Sequence, residues 1–171
     1  MQLTVVSIVL GAMAAVMIVS ILLKIFIFNP LEVGCYGFFR ENIDSEGQAS
    51  LDVIKSGFQN YGHTFCTLFL RDLFLALWTM LLFIPGIIKF YSYRMVPYIL
   101  RDNPELSATE VITMSREMMD GHKWRAFVLD LSFIGWYLLG GLTFGIVNVL
   151  WTGPYHNSAN AALYLKLKDM Q

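Results

Sequence analysis

The chain has 171 residues, of which 56% are hydrophobic, 15% aromatic and 15% charged, with a formal net charge of −1. Its mean hydropathy of +0.56 exceeds what a water-soluble domain of this size carries, and no Lys/Arg cluster interleaved with aromatics gives reason to expect nucleic acid as a partner. Cys35 and Cys66 stand far apart without C-x-x-C spacing, so they imply neither a disulfide framework nor a zinc site and read as packing residues.

Three apolar runs, 3–28, 65–88 and 126–151, occupy nearly half of the chain. A hydrocarbon layer of ~30 Å needs roughly 20 helical residues, and each run meets that length. The first run carries no charge up to Leu23 and lacks the basic start and the polar cleavage region of a secretory signal, so it reads as a retained helix. A shorter, more polar segment opening near a proline follows each run: 30–43, 85–100 and 154–167. Between them lie two stretches with one apolar face. In 50–61 the face is Leu51, Ile54, Phe58 and Tyr61. In 107–120 it is Ala108, Val111, Ile112, Met118 and Met119, behind Asn103-Pro104 and a capping box of Ser107 with Glu110, and with Gly121 as the stop. Such helices lie at the headgroup boundary or pack on a partner.

Sliding the chain by 59 positions brings Gly62-His63 onto Gly121-His122 and Gly86-Ile87 onto Gly145-Ile146. The order of features also repeats: amphipathic stretch, Gly-His, an aromatic (Phe65, Trp124), then the apolar run. The Lys and Arg residues decide whether the proline segments turn back. If only the long runs cross the membrane, the cations divide evenly between its faces. If each proline opens a returning helix, Lys24 and Lys89 lie outside, while Arg40, Lys55, Arg71, Arg101, Arg116, Lys123, Arg125, Lys166 and Lys168 lie inside. The expected fold is therefore all-α, a single multi-pass helical membrane domain over 1–171. It holds two tandem pseudo-repeats, each an interfacial helix, a spanning helix and a shorter returning helix.

The stretch Ile84-Pro-Gly-Ile-Ile-Lys-Phe-Tyr-Ser-Tyr-Arg-Met-Val-Pro-Tyr-Ile-Leu100, with Asp102-Asn-Pro-Glu-Leu-Ser-Ala108, Ser115-Arg-Glu-Met-Met119 and Leu129-Asp-Leu-Ser-Phe-Ile-Gly-Trp136, resembles a bacterial family of integral membrane proteins. That family is catalogued as domain of unknown function 975. Pro30-Leu-Glu-Val-Gly34 and Pro154-Tyr155 fit it as well, so the resemblance runs from about Asn29 onward. Similar proteins usually open with a further basic amphipathic segment and helix, whereas this chain opens in an apolar run, as a fragment or a late start would. The resemblance implies a multi-pass protein of the cytoplasmic membrane and no established activity or catalytic residue.

Ionisable residues inside apolar runs face the bundle interior, pair, or reach the interface. Arg71 matches Asp130 in the 59-residue register, which predicts that the two pair. Glu32, Lys89 and Arg94 lie in the returning segments as candidate lining of a polar cleft or as interfacial anchors. His63 and His122 follow glycines expected to cap amphipathic helices, where the dipole favours a cationic ring. Gly135, Gly140, Gly141 and Gly145 are expected at close helix contacts. Aromatics near run ends, among them Trp124, Trp151 and Tyr155, suit interfacial belts. No nucleophile with a base and no carboxylate pair at metal spacing is evident, so no catalytic residue, metal or cofactor is assigned. The resulting expectation is a non-enzymatic module binding membrane lipids, with another membrane protein or a second copy as further partners. The alternative is a small transporter or channel component.

Overall fold

The computed structural model describes the backbone of residues 2–170 and the side chains of residues 6, 7 and 9–170; the first few side chains of the run 3–28 lie outside the described residues. Over these residues the chain is all-helical, with no strand. Helix α1 (Gln2–Leu23) passes through a π-turn (Lys24–Phe28) into α2 (Asn29–Asp44). A 3₁₀ helix (Leu51–Phe58) leads to α3 (Tyr61–Leu81), α4 (Phe83–Ser92), α5 (Val96–Asp102), α6 (Ala108–Met118) and α7 (Lys123–Leu142). A second π-turn (Asn148–Thr152) then precedes α8 (Gly153–Lys168). Three helices are long and apolar enough to cross a membrane: Val9–Asp44, Tyr61–Leu81 and Lys123–Leu142, with mean hydropathies of 2.5, 1.5 and 1.3.

The chain does not reverse at Pro30. Leu23, Phe28 and Asn29 all keep right-handed helical angles, so the segment expected to return continues the first helix instead. Proline lacks an N–H and its ring presses on the carbonyl four residues back. The helix absorbs this by widening: the Asn29 N–H reaches the Lys24 carbonyl, and the Phe26 carbonyl, freed by Pro30, accepts the Tyr61 hydroxyl at 2.9 Å. The same widening precedes Pro154, where the Gly153 N–H reaches the Asn148 carbonyl.

The reversals lie elsewhere. Leu82 is extended, with φ −155° and ψ 131°, and folds α4 back along α3. Phe144 (φ 51°) and Gly145 (φ 83°) turn the chain after α7, with the Gly145 N–H closing on the Gly140 carbonyl at 2.8 Å. That turn lies ten residues ahead of Pro154, because a left-handed pair stops a helix whereas a proline in the first turn starts one.

Helix α6 is capped as its sequence predicts: the Ser107 hydroxyl accepts from the Glu110 N–H and the Glu110 carboxylate accepts from the Ser107 N–H at 2.7 Å. Gly121, at φ +72°, ends the following turn. The apolar face Val111, Ile112, Met118 and Met119 is buried inside the protein, against α3, α4 and α5. By contrast Leu51 and Phe58 of the 3₁₀ helix are exposed. That helix packs on α2 through glycines: a Cβ at Gly34 would overlap the Ile54 carbonyl, and one at Gly57 the Pro30 carbonyl. The short α5 lies at the centre, with Val96 through Leu100 all buried. Tyr36 of α2, Tyr98 of α5 and Tyr164 of α8 stack there with ring centroids 4.8 and 5.0 Å apart. Below them Asp102 receives Arg40 from α2, and Tyr164 (2.8 Å) and Lys168 (2.6 Å) from α8. Outside this core the long helices present bare apolar surface, including Met80, Phe83, Ile134 and Leu138, as a lipid-facing surface does.

Candidate functional site: a charged cavity among apolar helices

Glu32 sits in the first turn of α2, two residues after Pro30, and Arg71 lies halfway along α3. Arg71 donates both terminal nitrogens to Glu32, at 2.9 and 3.3 Å, and its Nε to Asp72 at 3.0 Å. The Lys24 ammonium reaches the other Asp72 oxygen at 3.2 Å. On the facing side, Arg94, in the turn between α4 and α5, grips both oxygens of Asp130 on α7 at 2.9 and 2.5 Å. The Tyr91 hydroxyl donates to Asp130 at 3.0 Å, and His156 Nε2 lies 2.8 Å from its second oxygen. A carboxylate accepts only, so His156 donates through Nε2; its Nδ1 lies 3.2 Å from the Tyr137 hydroxyl.

These two clusters line one cavity of about 340 Å³, together with Tyr36, Tyr93, Asn157 and Asn160. Its ionisable lining holds three cations (Lys24, Arg71, Arg94) and three anions (Glu32, Asp72, Asp130), with His156 in addition. The side-chain amide oxygen of Asn160, a buried residue, has no partner. Ion pairs removed from water need good geometry and further hydrogen bonds to offset desolvation; both bidentate arginines have them.

Four of the five sequence candidates, Glu32, Arg71, Arg94 and Asp130, thus meet in one place. Arg71 and Asp130 do not pair with each other. Each instead takes the residue two positions after a proline, Glu32 after Pro30 and His156 after Pro154, with Arg94 as the further partner of Asp130. His156 escaped the sequence reading, although its spacing from Pro154 repeats that of Glu32 from Pro30. Lys89 stands apart: its ammonium sits 4.8 Å over the Trp78 ring, and it lines a second cavity with Arg116 and Lys123, residues that the charge argument set on the opposite face. His63 lies in the first turn of α3 rather than at the C-terminal end of a helix, so the dipole argument for a cationic ring does not apply to it. Gly140 closes on the Asn148 side chain, whereas a Cβ at Gly135 or Gly141 would meet open space. Among the described residues no three His, Cys, Asp or Glu side chains gather as a metal site would need.

No curated protein and no solved structure matches the chain. The family resemblance traced from Asn29 onward is matched in its C-terminal part. Residues 80–171, more than half of the chain, match the model of the family described as "Protein of unknown function (DUF975)", and the chain belongs to that family.

Proposed function

We propose that this is a non-enzymatic, multi-pass protein of the cytoplasmic membrane that binds lipid, with a polar headgroup seated in the central cavity. The observation that carries the reading is the balanced lining: three cations and three anions around about 340 Å³, between helices whose outer surfaces are apolar. A zwitterionic group meets both signs of charge there, so neither of its poles enters a lining of its own sign alone. The non-enzymatic part rests on engagement: the Glu32, Asp72 and Asp130 carboxylates are each held by an arginine, which opposes general-base work. Another membrane protein or a second copy would dock on the exposed apolar faces rather than in the cavity.

Mass spectrometry of lipids retained after mild-detergent purification tests this. Wild-type protein is expected to keep a zwitterionic lipid near equimolar amounts, and Asp130→Asn to keep several-fold less. An equal yield from both proteins defeats the headgroup reading. A second reading, a transporter or channel component, draws on the continuous line Tyr137, His156, Asp130, Tyr91, which has the connectivity of a proton relay. Proton flux in reconstituted liposomes that disappears with Asp130→Asn would establish that reading in place of the first.

A further inference from the structure

We propose that the surface where α4 meets the corner between α6 and α7 binds an anionic phospholipid, with its phosphate among Lys89, Arg116 and Lys123 and an acyl chain along Ile88, Trp124 and Phe127. The three cations line a cavity of about 280 Å³. The Lys89 ammonium meets both Arg116 and Lys123 as like charges. Glu117 and Asp120 also line the cavity; Asp120 pairs with Lys123 at 3.3 Å, which leaves Lys89 and Arg116 against Glu117, an excess of one positive charge. Among the described residues neither Lys89 nor Arg116 has a carboxylate within ion-pair distance. Lys89 is held instead over Trp78, a contact that positions an ammonium without neutralising it. The site thus holds cations together with too little negative charge to balance them, the condition for recruiting an anion.

What lies next to it selects the kind of anion. A groove of about 260 Å³ lined by Ile87, Ile88, Tyr91, Trp124 and Phe127 shares Ile88 and Lys123 with the basic cavity. Trp124 stacks on Phe127 at 5.2 Å and is 71% exposed, so this apolar wall is open to whatever surrounds the protein. A free phosphate would satisfy the cations and leave the groove bare, and a zwitterionic lipid would fill the groove and bring no net negative charge. An anionic phospholipid does both. The inference rests on the membrane reading of the chain but not on the central cavity, and the two are tested by separate measurements.

Tryptophan fluorescence in bilayers tests it, because Trp124 forms part of the groove. In the difference between wild type and Trp124→Phe, which removes the share of Trp78, Trp136 and Trp151, phosphatidylglycerol with brominated chains is expected to quench at about tenfold lower mole fraction than brominated phosphatidylcholine. Lys89→Gln/Arg116→Gln/Lys123→Gln together are expected to bring the ratio near one. Equal quenching of the Trp124 share by both lipids overturns the proposal. So does a ratio unchanged by the triple substitution, or selectivity abolished by millimolar inorganic phosphate, which would make this a phosphate site only.

Discussion

Arg94 gives both terminal nitrogens to Asp130, so deleting the guanidinium strands a carboxylate among apolar helices, with only His156 and Tyr91 left to hold it. Removing one partner of a buried pair is far more costly than replacing both. Arg94→Met is expected to lower stability by about 3 kcal/mol in detergent unfolding, and Arg94→Met with Asp130→Leu to recover most of that loss. Equal losses in the single and double variants would sink the pairing. That Arg71 and Asp130 lie inside apolar runs was legible in the sequence, since an isolated charge there needs company. Their partners were not, because the choice is made by which helix face meets which, and α2 brings Glu32 to Arg71 only by running straight on through Pro30.

At the scale of single elements, contact distance decides which glycines matter. Gly34→Ala or Gly57→Ala would drive a methyl into a neighbouring backbone carbonyl, and each is expected to destabilise by about 1–3 kcal/mol. Gly141→Ala, facing open space within α7, is expected to be neutral or stabilising by up to about 1 kcal/mol, since alanine is the better helix former. The same unfolding assay reads all three. Helix α6 supplies a pH test. Hydrogen bonds from the Ser107 hydroxyl and N–H hold the Glu110 carboxyl below 4.5, its ordinary value. The folded protein therefore takes up that proton less readily than the unfolded chain, so the stabilisation is present above pH 4.5 and is lost as pH falls through the depressed value. Amide exchange at Val111 and Ile112 should differ between wild type and Glu110→Gln at neutral pH and converge in acid. This cap could be read from Ser107 and Glu110 alone, because both partners lie within one turn. The reversal at Leu82 carries no signal in its residue type, whereas the one at Phe144 carries Gly145, which the sequence reading had placed at a close helix contact instead of a turn.

The whole molecule is tied together at Asp102, which joins Arg40 from the first third of the chain to Tyr164 and Lys168 near its end. The family match begins at residue 80, yet the core it contributes is completed by Tyr36 and Val33 of α2 and Leu68 of α3. A fragment of residues 80–171 is therefore expected to be cleaved by protease much faster than the full chain, and co-expression of residues 1–79 to restore resistance. A fragment as resistant as the full chain would show that the first helices are dispensable. Asp102→Ala is expected to lower stability of the full chain by about 3 kcal/mol, since two cations lose their shared anion in one step. An all-helical chain with three apolar helices of spanning length was readable from composition and run length. The convergence of α2, α5 and α8 on one aspartate was not, because it depends on contacts more than 60 residues apart.

The tyrosine stack limits how the bundle can deform. Rings at 4.8 and 5.0 Å from three helices meet at one level only: a turn above or below them, about 5.4 Å, stand Glu32, Arg40, Arg94, Asp102, Asn160 and Lys168, so axial slip in either direction trades a ring contact for a polar one. Sliding of α2, α5 and α8 past one another is thereby penalised, and drawing α3 or α7 away to widen the charged cavity would have to part Arg71 from Glu32 or Asp130 from His156.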